Sequence, residues 1–251
     1  MLAQQHDEQE ESEGEETSQN KRKRNSDSSQ NAKKKNLLAL PDDKNAIQEV
    51  VTSKKIYKEH DSYVLDYTYP YLNESVDAGF KIFNDYLNES YLNTEQTINE
   101  ILEDKELLCD TLKIDRFREK RIIDYKLHST TNNIISILLY KENFYSGMKN
   151  SAYLFDCLNF DAEKDAFIYF NDVFVQDAEE EVFTLINTII SDDIESGDMY
   201  YDCWELSKRD FQAYKNNFVI NDENIEFYFD DCVVCPSYTG TYAIKIPITR
   251  V

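Results

Sequence analysis

The first 45 residues contain no aromatic side chain, whereas the rest of the chain holds all 18 Tyr and 14 Phe. That contrast confines a packed core to about residues 50–251. A segment without aromatic or β-branched runs cannot bury enough apolar surface to offset the entropy of ordering. Residues 1–45 therefore read as a disordered charged tail, with an acidic run at Asp7–Glu16 and basic clusters at Lys21–Arg24 and Lys33–Lys35. The two clusters have the look of a bipartite nuclear-localisation signal, but a solvated linker with charge blocks is the preferred reading.

The body has the size of one domain, or of two subdomains at 50–115 and 120–251 sharing a core. Glycine and proline are scarce, at 5 and 4 residues, so its turns must rely on Asn and Asp. Tyr63–Tyr69 alternates and is rich in β-formers, which predicts a strand ended by Pro70. A helical region spans about 74–108: Leu87 and Tyr91 share a face, as do Ile98, Ile101 and Leu102. The capping-box spacing of Thr97 and Glu100 marks a break near Asn93. Arg121–His128, Asn133–Tyr145 and Ala152–Phe160 predict an antiparallel meander, followed by an edge-like segment at Ile168–Phe174. Asp177–Ile190 is a helix with acids at its N-terminus and Val182, Leu185, Ile186 and Ile189 on its buried face. A short helix at Ser207–Lys215, a hairpin of Phe218–Asn221 with Ile225–Phe229, and a last strand at Tyr242–Thr249 complete the chain. In the hairpin, Phe227 and Phe229 are expected to face inward and Glu226 and Tyr228 outward. The fold class is α+β: an antiparallel sheet packed by a few helices, with a disordered N-terminal tail.

Charge restricts the partner. Of the net −22, about −21 belongs to the residues after 40, because the tail nearly balances itself. Such a body repels nucleic-acid phosphates and anionic lipid and draws cationic proteins. No run of 18 apolar residues is present, so no integral membrane segment is expected. Phosphate loops, nucleophile elbows and HExxH are absent, and the three His are scattered. Neither a catalytic residue, a metal site nor a cofactor is expected. Asp192-Asp193 and Asp230-Asp231 read as solvated loop charges. The five Cys are odd in number and irregularly spaced, which argues against a disulfide framework; Cys232-Val-Val-Cys235 has the spacing of half a zinc knuckle or a redox pair, but the two read as ordinary partly buried cysteines, with a disulfide or an adventitious metal site as the alternatives. Met1-Leu-Ala3 matches the last residues of a signal peptide only if a start lies upstream. The expected location is periplasmic or secreted in that case and cytoplasmic otherwise.

Near the C-terminus, Phe218, Phe227, Phe229, Pro236, Gly240, Ile246 and Pro247 follow in order a pattern that resembles the C-terminal motif of the RsiV-like domain family. Upstream, Tyr145-Ser146-Gly147, Asn159-Phe-Asp161 and Phe170–Phe174 resemble further elements of that family. The Gly-Gly-Ala-His turn of the family is replaced here by Ser146-Gly-Met-Lys-Asn-Ser151. The resemblance implies a non-enzymatic extracytoplasmic binding or sensing domain, in some members a direct sensor of lysozyme. A cationic, lysozyme-like protein or a cell-wall component is the expected partner. The expected contact residues are the turns at Tyr145, Ser146, Gly147 and Tyr238, Thr239, Gly240, because turns carry variation on a rigid sheet. Two other classes stay open: an intracellular acidic effector addressed by the basic tail, and a carboxylate-dependent hydrolase.

Overall fold

The computed structural model describes residues 50–112, 116–129 and 133–248. The expectations for the tail, including both basic clusters, lie outside the described residues. A six-stranded sheet runs in the order β1 (Val51–His60), β2 (Tyr63–Leu72), β3 (Glu119–Ser129), β4 (Ile134–Phe144), β5 (Ala152–Asp161) and β6 (Ala166–Phe167). Its neighbours are antiparallel except β2 and β3, which pair in parallel from Tyr63↔Glu119 to Tyr67↔Ile123. The helices α1 (Phe80–Tyr91) and α2 (Thr94–Leu112) make the crossover that a parallel pair demands. The meander over β3–β5 is as expected, β6 adds an unforeseen two-residue strand to it, and the sheet as a whole is mixed.

Three local expectations are corrected. Pro70 does not end β2, which continues to Leu72. Backbone direction alternates along a strand: Asn73 N–H bonds Val50 across the β1 ladder, whereas Leu72 turns its backbone to Asn84. Pro70 shares the orientation of Leu72, beyond the end of the β2–β3 pairing, so its missing N–H breaks no ladder bond. The helix break does fall at Asn93, but the cap is the Asn93 carboxamide, which accepts the Gln96 N–H at 3.1 Å, and Thr97 lies inside α2. Ile168–Phe174 is not an extended edge: Phe170–Val173 forms one helical turn, α3, closed by Asp172 accepting the Tyr169 N–H.

The remaining chain forms α4 (Glu179–Ser196), α5 (Lys208–Tyr214) and a three-stranded antiparallel sheet, β7 (Phe218–Ile220), β8 (Asn224–Tyr228) and β9 (Ala243–Pro247). Ser207 caps α5 by accepting the Asp210 N–H. Two apolar clusters result. One joins α1 and α2 to the first face of the large sheet through Phe83, Leu87, Ile101, Ile137, Leu139 and Phe160. The other joins α3, α4 and α5 to the small sheet through Phe170, Ile186, Phe211, Phe218, Phe227 and Ile246. The clusters divide the sequence between residues 160 and 170.

Between them lies the second face of the large sheet, on which the small sheet rests. Strand β8 is consequently buried on both faces. Phe227 and Phe229 point into the helical cluster as expected, at 0% and 3% exposure, but Glu226 and Tyr228 are buried too, at 5% and 2%. Tyr228 meets Phe155 and His128 of the large sheet. Glu226 is held by Asn221, the Tyr228 hydroxyl and Lys245.

A buried polar seam joins the sheets. Ser136 of β4 and Asn159 of β5 are paired across the ladder and are 0% and 2% exposed. The Ser136 hydroxyl donates to Asn159 Oδ1 and accepts the Ile220 N–H at 2.8 Å, while Asn159 Nδ2 donates to Phe218 O at 2.7 Å. Asn217 adds three bonds, accepting from Cys157 N–H and donating to Phe155 O and Tyr228 O. Asn159→Ala leaves the Phe218 carbonyl buried without this donor and is expected to cost roughly 2–3 kcal/mol. Adding Ser136→Ala should cost less than the sum of the single changes, since both belong to one network; a double-mutant cycle in denaturant measures this.

His128 gives a second test. Burial, helped by Lys126, pushes its pKa from 6.5 down to about 4, against a weaker opposite pull from Glu226, and its Nε2 has no hydrogen-bond partner among the described residues. The unfolded chain binds a proton near pH 6.5 that the folded protein refuses until about pH 4. Stability is therefore full above that window and falls as the pH drops through it. Stability measured from pH 7 to 4 should fall by roughly 2–3 kcal/mol more in the wild type than in His128→Gln.

Candidate partner-binding surface

Helix α4 ends at Gly197, whose φ of 81° is the left-handed conformation that glycine adopts without strain. The chain then enters a loop, 198–206, fixed at both ends. Met199 is buried and donates its N–H to Asp193 O. Leu206 exchanges two bonds with the Asn187 carboxamide of α4, at 2.7 and 3.1 Å. Between these anchors lies Tyr200-Tyr-Asp-Cys-Trp-Glu205.

A second loop, 230–242, lies against the first. Cys203 and Cys235 form a disulfide, which corrects the expectation of ordinary cysteines. Irregular sequence spacing gave no warning of it, because residues 32 apart are brought together only by tertiary structure. Trp204 donates its backbone N–H to Val234 O and its indole N–H to Val233 O, at 2.8 and 2.9 Å. Thr239 closes a turn on Pro236 O through both its N–H and its hydroxyl, and Gly240 follows at φ 105°. The turn presents Tyr238, whose hydroxyl donates to the Asp202 carboxylate. That bond holds the Tyr238 proton and raises its pKa to about 12.

Tyr201, Tyr238 and Trp204 are 73%, 58% and 42% exposed, an aromatic set that the protein leaves uncovered. Tyr200 ties two of them together, with ring centroids 4.6 Å from Tyr201 and 5.9 Å from Tyr238. The electrostatic setting is one-sided. From Asp165 to Ser207 the chain has twelve Asp and Glu and no Lys, Arg or His. Lys208 and Lys215 answer Glu180 and Glu179 at the start of α4, while the loop that carries the aromatics adds Asp198, Asp202 and Glu205.

Of the six residues expected to contact a partner, Tyr238 is exposed on this surface, Gly240 is half-buried beside it, and Thr239, 3% exposed, is buried beneath the turn and serves to shape it. Tyr145, Ser146 and Gly147 make a separate set of contacts. Their turn is bound to β3: Arg121 lies 4.1 Å from the Tyr145 ring centroid and pairs with Glu119, which accepts the Ser146 N–H. Glu119 is 1% exposed, and burial pushes its carboxyl above the usual range despite Arg121. Gly147 has φ 83°, and Met148 beside it is exposed. Of the residues resembling the family motif, Phe218, Phe227 and Phe229 are core, Pro236 and Gly240 shape the Tyr238 turn, and Pro247 pairs with Asn224 at the end of β9.

Two further concavities lie elsewhere on the described residues. One of about 780 Å³ lies between α3, the start of α4, and α5; its polar rim, Glu179, Glu180, Lys208 and Gln212, is internally bonded. The other, about 420 Å³, follows the outer edge of β5 and contains Asp156 and Asp230. Asp230 and Asp231 are not solvated loop charges. They accept the Phe155 and Tyr153 N–H groups at 2.7 and 3.0 Å, standing in for a neighbouring strand. Burial pushes the Asp230 carboxyl up, but its second oxygen accepts the Tyr214 hydroxyl, and Asp156 pairs with Lys141. Both carboxylates are thus committed to the fold. Among the described residues, no three His, Cys, Asp or Glu side chains are grouped to hold a metal ion, and no helix is long and apolar enough to cross a membrane.

Residues 171–249, which carry α4, α5, the small sheet and both aromatic-bearing loops, match the model of a family described as a protein of unknown function (DUF3298). No curated protein matches the chain. Solved structures that share the fold include two from DUF3298 proteins. A DUF3298-family member from Bacteroides fragilis is 14% identical, with a TM-score of 0.54 over 80% of this chain and 90% of its own. A DUF3298-family protein from Pseudomonas aeruginosa is 12% identical, with a TM-score of 0.55 over 80% of this chain and 92% of its own. The chain is therefore similar in fold to DUF3298 proteins along most of its length and matches their family model across the C-terminal third.

Proposed function

We propose that residues 50–251 form a non-enzymatic recognition domain of the cell envelope that binds a cationic protein through Tyr201, Trp204 and Tyr238. The observation that carries this reading is the exposed aromatic set on two loops stapled by Cys203–Cys235, within a stretch of chain that has acids and no bases. Tyr and Trp concentrate binding energy at interfaces because they bring large area at little entropic cost. Lys and Arg side chains are drawn both to the faces of such rings and to the carboxylates around them. The body's charge steers a cationic partner toward the surface before contact.

The resemblance to RsiV-like domains favours a lysozyme-like protein as that partner, and the residues carrying it lie largely within the matched family segment. The disulfide favours an oxidising compartment, which accords with a periplasmic or secreted location. The commitment of Asp156 and Asp230 to structural partners favours recognition over hydrolysis. The turn at Tyr145–Gly147, being separately anchored, serves as a secondary contact at most.

Binding of a lysozyme and of a neutral protein of similar size should be titrated at low and at physiological salt. Lysozyme is expected to bind at both, faster at low salt, while the neutral protein does not bind. Tyr201→Ala, which removes an exposed ring, should weaken lysozyme binding about tenfold without changing stability. Binding that disappears at physiological salt is charge adsorption alone and ends the lysozyme reading. Unchanged affinity in Tyr201→Ala moves the contact off this surface.

A further inference from the structure

The disulfide has a third cysteine beside it. Cys232 is exposed and unoxidised, three residues before the buried Cys235. The two belong to one tight turn: the Cys232 N–H donates to the Cys235 carbonyl at 3.0 Å, and the Val233 N–H donates to Asp230 O. The turn cannot drift from the body, because Asp230 and Asp231, just before it, are bonded to the edge of β5. Cys232 adopts φ 68°, a left-handed conformation unfavourable for a residue with a Cβ. The backbone thus holds Cys232 in a constrained conformation within the same turn as Cys235, one half of the disulfide.

We propose that Cys203, Cys232 and Cys235 form a thiol–disulfide exchange site that governs the covalent link between the two aromatic-bearing loops. The Cys232 thiolate attacks Sγ of Cys235. The Cys232–Cys235 bond forms as the Cys203–Cys235 bond breaks, and Cys203 leaves as a thiolate that takes up a proton from water, replacing the one Cys232 gave up. One disulfide is exchanged for another, so no electrons enter or leave and neither oxidant nor reductant is consumed. Exchange of this kind needs a thiolate with access to a disulfide sulfur, and a nucleophile in the same turn has a large entropic advantage over one from solution.

Burial sets the resting state. Cys203 and Cys235 are 8% and 4% exposed, and the leaving Cys203 thiolate would form in a poorly hydrated place. The link therefore rests at Cys203–Cys235, and the exchanged form is reached when the loops separate. Exchange leaves loop 198–206 attached to loop 230–242 by noncovalent contacts, among them the two hydrogen bonds from Trp204, the one between Tyr238 and Asp202, and the Tyr200–Tyr238 ring contact. The aromatic set can then be rearranged without reduction of the protein. This holds whether or not a cationic protein is the partner, because it rests on the cysteines and their turn alone.

The full chain and Cys232→Ser should be opened with a limiting concentration of dithiothreitol at pH 8. Trp204, the sole tryptophan, reports loop release by its fluorescence, and peptide mapping after alkylation reports when Cys203 becomes free. Cys232 provides an internal route to the buried disulfide, so Cys203 should be released about tenfold or more faster in the wild type than in Cys232→Ser. Equal rates overturn the proposal. A second variant, Cys203→Ser, should form the Cys232–Cys235 link in a glutathione redox buffer; glutathione adducts on both cysteines in place of that link also overturn it.

Discussion

A small sheet must rest on a large one while helices press on its other side, and the hydrogen bonds of Ser136, Asn159 and Asn217 fix how it does so. Apolar contact alone would hold β7 and β8 against the large sheet in many registers, since burial has no direction. Buried amide and hydroxyl groups have direction, and each unmade bond costs more than a made one gains. Three side chains on β4, β5 and the entry to β7 pin the Phe218 and Tyr228 carbonyls and the Ile220 N–H. Everything beyond that seam takes its position from it: the packing of α4 and α5, the hairpin that carries Glu226, and the two loops that display the aromatics.

Where structure follows from local pattern, the sequence was a sound guide. The meander, the acidic start and apolar stripe of α4, and the β7–β8 hairpin are all visible in residue periodicity, and Phe227 and Phe229 do face the helical core. The failures share a cause. Tyr228 and Glu226 alternate properly with the phenylalanines, but period two assigns faces and does not say that both are covered. Strand β1, rich in lysine and almost wholly exposed, has no core-facing stripe by which to be read. The roles of Asn159, Asn217, Asp230 and Asp231 are bonds to residues dozens of positions away, which no window contains. The parallel pairing of β2 with β3 is hidden for the same reason.

The candidate surface was half legible. Its turn at Tyr238–Gly240 was found through the family-like motif, but the opposing Tyr200–Trp204 loop was not, since it belongs to no motif and is joined to the turn by a disulfide across 32 residues. A signal was nonetheless present. Averaging charge over the whole body concealed a run of 43 residues, from 165 to 207, without one basic side chain, and the exposed rings lie near its end. Acidity concentrated in this way is a local field, whereas acidity spread over the body serves mainly to keep molecules apart.

The carboxylates of Asp230 and Asp231 on β5 also determine how the six-stranded sheet treats foreign strands. An open edge is a template on which another chain can assemble. On the β5 side, side chains occupy the N–H groups of Tyr153, Phe155 and Cys157, and β6 pairs with the end of the strand. On the β1 side, the described residues offer a ten-residue strand studded with Lys54, Lys55 and Lys58. Growth of the sheet is thus blocked by occupied backbone at one border and discouraged by charge at the other, so the protein can expose sticky aromatic rings at its loops without inviting its own strands to polymerise.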